Sequence, residues 1–227
     1  MANESLPLTN SRSRMVTVAL TYAGLLYLLW VAAWLLERWL EHRFAWIEAG
    51  AAQFFYWLVM KLLLWVLPAI LIIRFSGRRL LDVLGLKRLV PVVLWGGGVG
   101  LLLATIAIAS KFAGGRAILP ASFGWPILNA MLVAPVVEEI TFRGAILGSL
   151  KQRYRFAIAN SITALLFLGA HLPGWYFQGR LLAGLITPLG GALSIFLVGF
   201  VFGYVAHRSD SVAASVLAHA LNNLGSS

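Results

Sequence analysis

Two adjacent carboxylates, Glu138 and Glu139, interrupt an apolar run that extends from residue 125 to residue 150. The whole chain has only eight acidic residues, so two neighbours inside one apolar segment are a specific feature. A carboxylate within a membrane costs several kcal/mol unless it is paired or faces a wet cavity. The pair therefore indicates a functional site.

Helical spacing gives the two carboxylates different partners. Consecutive residues of an α-helix point about 100° apart, so the two side chains lie on different faces. Glu139 and Arg143 are four residues apart, share a face and can form an ion pair. Glu138 then points elsewhere and needs a partner from another helix. We interpret the Glu139–Arg143 pair as structural and Glu138 as the functional acid.

Three more polar residues lie in apolar segments: His171, His219 and Asn223. The other two histidines, His42 and His207, lie beside charged residues in predicted loops, where we expect them to be solvated. His219 and Asn223 are four residues apart and share one helix face. Together with the unpaired glutamate, two histidines and an asparagine can hold and deprotonate a water molecule, with or without a metal ion.

The composition indicates a membrane protein. Hydrophobic residues make up 60% of the chain and charged residues 11%, and several apolar runs exceed the roughly 18 residues that indicate a membrane helix. The net charge is +10, but the basic residues lie in short loops between apolar runs. This pattern reports membrane orientation rather than nucleic-acid binding. The absence of cysteine excludes disulfides, thiolate metal sites and a cysteine nucleophile.

The apolar runs predict an all-α bundle of about seven transmembrane spans in one domain, or eight helices if the sixth run is divided. The predicted segments are 15–36, 53–73, 90–110, 125–150, 156–172, 181–206 and 212–224. Residues 1–14 are predicted to be a polar, poorly ordered tail, 15–120 the N-terminal transmembrane helices and 121–227 the part that carries the site.

Several residues within the spans lead to local predictions. Pro173 is expected to end the fifth span, and the segment 188–191 to divide the sixth. Lys61 is the only charge in the second span, and we expect its amine to extend to the membrane interface. Gly199 and Gly203 form a small face suited to close helix packing.

The basic loops predict the orientation. With the N-terminus inside, eleven Lys and Arg residues fall in inside loops and five in outside loops. Because cytoplasmic loops carry an excess of Lys and Arg, we expect a multi-pass protein of the cell (inner) membrane. Its N-terminus would be cytoplasmic and its C-terminus outside.

The polar residues form three motifs on separate spans. They are Glu138-Glu139-x-x-x-Arg143, Phe167-x-x-x-His171 and His219-x-x-x-Asn223. In order and internal spacing they resemble the CPBP family of CAAX-processing and bacteriocin-processing intramembrane proteases, also called ABI or Rce1-like proteins. The resemblance covers roughly residues 125–225, and the first three spans contribute only hydrophobicity.

The resemblance implies a membrane-embedded endopeptidase whose site lies in a cavity. Its general base, which activates the attacking water, would be Glu138. The residues that hold this water or stabilise the oxyanion would be His171, His219 and Asn223. The supporting residues would be Glu139 and Arg143, which brace the helix, and Phe167, which packs.

The catalytic type is open between a glutamate peptidase and a metallopeptidase. Two histidines and a carboxylate can form a zinc site with an open position, with Glu138, His171 and His219 as ligands. A Glu138 that binds metal is less free to act as a base. We therefore prefer the metal-free mechanism, with no certain cofactor, and keep Zn²⁺ as the alternative.

Two other functions fit the same polar residues. A non-catalytic membrane adaptor or immunity-type protein could keep this fold, although the intact Glu, His, His and Asn set disfavours it. A proton-coupled transporter is the other alternative, because buried Glu and His clusters also mark proton relays. For the protease, the partner is a membrane-associated protein or peptide: a prenylated CAAX tail, a leader peptide or a C-terminal sorting tail.

Overall fold

The computed structural model describes residues 6–44, 46, 50–118 and 124–226, with side chains from residue 12 onward. Within these ranges the chain forms nine helices and no strand, which confirms the predicted all-α fold. The helices are α1 (Leu6–Arg43), α2 (Gly50–Phe75), α3 (Leu80–Leu84), α4 (Leu89–Ala113), α5 (125–150), α6 (Phe156–Phe177), α7 (Leu181–Ile186), α8 (Ala192–Ser209) and α9 (Val212–Ser226).

Five of the described helices, α1, α2, α4, α6 and α8, are long and apolar enough to cross a membrane. The protein is therefore an integral membrane protein with a helical bundle. Helices α5 and α9 are not among the five. Helix α5 carries two glutamates and an arginine, and α9 has only 15 residues, fewer than the roughly 20 that span a bilayer. Both pack against other helices of the bundle.

Two boundaries differ in detail from the predicted segments, and a third agrees. Helix α1 begins at Leu6, so residues 6–14 of the predicted tail are helical, while residues 1–5 lie outside the described part. In α6 the chain turns at Ala170 and His171, and the helix resumes at Leu172 with Pro173 in its first turn. Proline is tolerated there because its missing N–H has no helical acceptor. The sixth run is divided into α7 and α8, as the segment 188–191 predicts.

Helix α5 is the central helix of the bundle. Every residue from Glu139 to Leu147 is buried, and this part contacts α1, α2, α3, α6, α8 and α9. A helix that is buried on all sides needs neighbours all around it. Its turns widen to the π form over Ile140–Leu147, directly after the two glutamates. Such widening is frequent at functional sites.

The loops that were predicted to lie inside meet at one end of the bundle. Arg153 Nη1 donates to Ser13 Oγ (2.7 Å), and Ser211 Oγ donates to the Leu84 carbonyl (2.7 Å). Arg88 forms an ion pair with Asp210 (3.0 Å). We call this the basic end, formed by residues 74–88, 151–155 and 207–211. The contacts agree with the alternation of loops in the sequence.

The predicted small face on α8 lies against α6. Gly203 faces Asn160, whose side-chain Nδ2 donates to the Phe200 carbonyl at 2.9 Å. A Cβ at position 203 would overlap Asn160 Oδ1. Because Asn160 is fully buried and bonded to α8, it has little room to move. Glycine at 203 therefore permits the close approach of these two helices.

We expect Gly203→Ala to lower the free energy of unfolding by about 1–3 kcal/mol, since the added methyl group overpacks the helix contact. Thermal unfolding of the detergent-purified protein measures this change. Gly98→Ala is the matched control, because nothing lies within 4 Å of a Cβ there. Equal unfolding temperatures for the two variants would contradict the close packing at Gly203.

Candidate active site

Glu139 forms the centre of a buried polar cluster. Its side chain is fully buried, and its Oε1 lies 2.9 Å from Arg143 Nη1 and 2.9 Å from His219 Nδ1. One carboxylate oxygen therefore accepts hydrogen bonds from its own helix and from α9. The predicted Glu139–Arg143 pair is confirmed. The bond to His219 was not predicted, because it joins residues 80 positions apart.

Arg143 is held from every side. Its Nη2 donates to the Gly199 carbonyl of α8 at 2.6 Å. Its guanidinium carbon lies 4.6 Å from the centre of the Phe167 ring and 5.6 Å from that of Phe202. Aromatic faces attract a cation at such distances. A carboxylate, a carbonyl and two rings thus stabilise a guanidinium on a fully buried side chain.

His219 lies between the two adjacent glutamates. Its Nδ1 contacts Glu139, and its Nε2 lies 3.9 Å from Glu138 Oε2. The Phe202 ring stacks on the imidazole at 4.6 Å and fixes its plane. A carboxylate only accepts hydrogen bonds, so we assign the proton to Nδ1. In the neutral imidazole, Nε2 is then an acceptor that faces the second carboxylate.

This arrangement suits a donor between Glu138 and His219. An ionised carboxylate and a neutral Nε2 are both acceptors, so they repel unless a group with two O–H or N–H donors bridges them. Because the two atoms are 3.9 Å apart, an oxygen about 2.8 Å from each, a normal hydrogen-bond length, lies about 2 Å to one side of the line that joins them. The Glu138 side chain is 14% exposed, whereas that of Glu139 is 0% exposed. Glu138 is the more accessible of the two acids.

His171 approaches the cluster through Phe167. It lies at the turn between the two parts of α6, and its Nδ1 is 2.9 Å from the Phe167 carbonyl oxygen. The Phe167 ring contacts the rings of both His171 (4.9 Å) and His219 (6.0 Å). Phe167 is therefore a common neighbour of both histidines and of Arg143, which agrees with its predicted packing role. Each histidine is held by a hydrogen bond at Nδ1, so a substrate or water would meet its ring at Nε2.

Asn223 joins α9 to α5. Its Nδ2 donates to the Ala130 carbonyl at 2.7 Å, and its Oδ1 accepts from Asn222 Nδ2 at 3.3 Å. Ala130 precedes Glu138 by about two helical turns. The predicted face of His219 and Asn223 therefore does lie along α5. It contacts that helix both at the glutamates and nearer its start.

Lys61 is a member of this neighbourhood that the sequence interpretation missed. The expected extension to the interface is wrong, because Lys61 is only 8% exposed and its Nζ donates to Asn129 Oδ1 at 2.8 Å. It also lies close enough to Glu138 for electrostatic attraction. An amide oxygen and a carboxylate replace the water that the amine would find at the interface. One signal in the sequence indicated this inward position, namely a lone cation within an apolar run.

A cavity of about 510 Å³ extends from Lys61 and Asn129 between α1, α2 and α5. Its wall is rich in aromatic side chains: Trp30, Trp34, Phe54, Trp57 and Trp125. The described lining does not include Glu138, His171, His219 or Asn223. That these four residues converge on one cavity therefore stays a prediction.

The zinc alternative needs three ligands that point at one position. Among the described residues, no group of three or more His, Cys, Asp or Glu side chains is arranged to hold a metal ion. His219 Nδ1 is bonded to Glu139 and His171 Nδ1 to a carbonyl, so any metal would have to bind these rings at Nε2. The zinc alternative therefore stays a prediction, and we route no step through a metal.

Removing one partner of the buried pair should cost more stability than removing both. We expect Glu139→Gln and Arg143→Met each to lower the free energy of unfolding by about 3–5 kcal/mol, because each leaves a buried charge unpaired. The double variant should lose less than the sum. Unfolding of the four proteins in detergent measures the coupling.

The exposed pair Arg38–Glu41, at 3.3 Å, is the matched control for this cycle. Its coupling should stay below about 1 kcal/mol, as is usual at a surface. Additive losses for the buried pair would contradict the pairing.

A comparison with known protein families found a match to the part of the chain that carries this cluster. Residues 120–225 match the family described as type II CAAX prenyl endopeptidase Rce1-like. Neither the curated proteins nor the solved structures include a match to the chain. The matched region spans α5 to α9 and includes all three motifs. Residues 120–225 are therefore similar to this Rce1-like family, and the match supports a CPBP family membrane protein.

Proposed function

We propose that the protein is an intramembrane endopeptidase of the cell membrane that cleaves a membrane-associated protein or peptide. The observation that carries this proposal is the position of His219 between two adjacent glutamates, one neutralised by Arg143 and the other more accessible. The family match supports a peptidase. The basic end would face the cytoplasm, in agreement with the distribution of Lys and Arg.

In the proposed reaction, Glu138 is the general base. Water binds between Glu138 Oε2 and His219 Nε2, and Glu138 takes one proton while the water oxygen attacks the peptide carbonyl carbon. The tetrahedral intermediate collapses as the C–N bond breaks. The proton on Glu138 passes to the leaving nitrogen, which gives a carboxylic acid and an amine and returns the ionised base.

Glu139 and Arg143 act on this reaction through His219. The bond from Nδ1 to Glu139 fixes the tautomer and the orientation of the ring, so that Nε2 faces the water. Arg143 balances the negative charge of Glu139. Glu138 is therefore the carboxylate that takes the proton from water. Glu139 and Arg143 are therefore positioning residues.

The oxyanion is stabilised by Asn223 and His171. The Asn223 amide provides N–H donors at any pH. His171 differs, because its Nδ1–H already donates to the Phe167 carbonyl. Its Nε2 therefore carries a proton to donate only in the imidazolium form. Preorganised donors of this kind are usually the largest electrostatic contribution to such a reaction.

We expect Glu138→Gln to lower the cleavage rate by about 10²–10⁴-fold, because the amide keeps the shape but takes no proton. Purified protein and a panel of prenylated CAAX tails, leader peptides and C-terminal sorting tails test this. Glu41→Gln, outside the cluster, should retain full activity. Wild-type turnover by the Glu138 variant would exclude the mechanism.

Absence of wild-type cleavage together with proton-coupled uptake into liposomes would indicate a transporter instead. Absence of both activities would favour the non-catalytic adaptor.

The positive charge of Lys61 should support the same step by holding the Glu138 carboxylate in place beside His219 through electrostatic attraction. We expect Lys61→Met to lower kcat by about tenfold or more, the effect of losing about 1.4 kcal/mol of transition-state stabilisation. Lys61→Arg, which keeps the charge, should retain most of the rate. The control Asn129→Ala removes the hydrogen bond but no charge. Equal kcat values for the Met and Arg variants would show that the charge has no role.

A further inference from the structure

A second cavity, of about 580 Å³, lies at the basic end of the bundle. Its lining comes from the loop after α2, from α3, from the end of α5 and from the α8–α9 turn. The charged members are Arg78, Arg79, Asp82, Arg88, Arg143, Lys151 and Asp210, and His207 also lines it. In the described lining, five cationic side chains thus surround a space with two carboxylates.

Those carboxylates compensate other cations. Asp82 lies 3.9 Å from Arg79, and Asp210 lies 3.0 Å from Arg88. Among the described residues, neither Arg78 nor Lys151 has a carboxylate oxygen within 4 Å. Lys151 Nζ instead lies 3.2 Å from His207 Nδ1. Two cationic side chains therefore share one cavity without an ion-pair partner in the described part of the chain.

Arg78 is fixed in place by the backbone of α5. Its Nη1 donates to the Gly144 carbonyl (2.9 Å) and its Nε to Ser76 Oγ (2.8 Å). The guanidinium lies against Gly148, where a Cβ would overlap it. Among the described residues, the remaining nitrogen, Nη2, is buried and has no hydrogen-bond partner. The structure thus holds a rigid donor whose last N–H groups have no acceptor within the described part of the protein.

The surroundings of Lys151 show the same excess of positive charge. Burial lowers the pKa of Lys151, the nearby Asp210 opposes this, and the charge of Arg78 adds to it. An anion between Arg78 and Lys151 would stabilise both cations. Arg143 also lines the cavity, and its Nε is buried without a hydrogen-bond partner among the residues that the structure describes.

We propose that this cavity binds a phosphate group, carried by an anionic phospholipid headgroup or by free phosphate, through Arg78 and Lys151. A guanidinium presents paired N–H groups that match the oxygens of a phosphate, and an ammonium adds a compact charge. Basic pockets between transmembrane helices on the cytoplasmic side bind anionic headgroups. The site is separate from the pair of Glu138 and His219.

The test compares two double variants of the full chain that lose the same charge. Arg78→Gln with Lys151→Gln removes the site, while Arg74→Gln with Arg155→Gln removes two exposed cations from the same end. Each protein is placed in nanodiscs of phosphatidylcholine with a small fraction of phosphatidylglycerol, and the retained lipid is measured by native mass spectrometry. A second arm measures thermal unfolding in detergent with inorganic phosphate or with chloride at equal ionic strength.

We expect the site variant to bind phosphatidylglycerol or phosphate about tenfold or more weakly than the wild type, as the loss of a charge-assisted hydrogen bond predicts. The control variant should bind as the wild type does. Retention of phosphatidylglycerol without a phosphate effect assigns the site to a lipid headgroup, and the converse assigns it to a free anion. Because Arg78 also braces α5, Lys151→Gln alone is tested and should weaken binding in the same arm. Equal binding by the site and control variants, or no binding by the wild type, would overturn the proposal.

Discussion

The structure depends on one buried carboxylate oxygen. Glu139 Oε1 accepts from Arg143 on its own helix and from His219 on α9, and Arg143 reaches on to the backbone of α8. Three helices are thereby fixed to one another at one point in the bundle. In hydrocarbon an unpaired carboxylate or guanidinium is costly, so each partner stabilises the others. This cluster sets the rotation and depth of α9 against α5.

The same constraint separates the two adjacent acids. Glu139 is fully buried and neutralised, whereas Glu138 retains some exposure and faces Nε2 of His219. Consecutive positions on a helix thus give two identical side chains different surroundings. The aromatic rings of Phe167 and Phe202 complete the arrangement, because they hold Arg143 and His219 in place without offering a competing acceptor.

Charge is distributed unevenly along the bundle. The middle holds a few side chains that are paired with one another, such as Lys61 with Asn129. The basic end holds more cations than its carboxylates balance. Arg143 belongs to both regions, since it pairs with Glu139 and lines the cavity of the basic end. The buried polar cluster and that cavity are therefore joined through a single guanidinium.

Local patterns in the sequence determined the all-α class, the apolar helices, the Glu139–Arg143 pair and the shared face of His219 and Asn223. These follow from apolar run length and from a repeat of 3.6 residues, which need no knowledge of distant residues. Only the tertiary structure decided that His219 bonds Glu139, that Lys61 turns inward to Asn129, and that Gly203 meets Asn160. Each of these joins residues on different helices. Such contacts depend on the rotation and depth at which the helices pack, and no local spacing encodes either quantity.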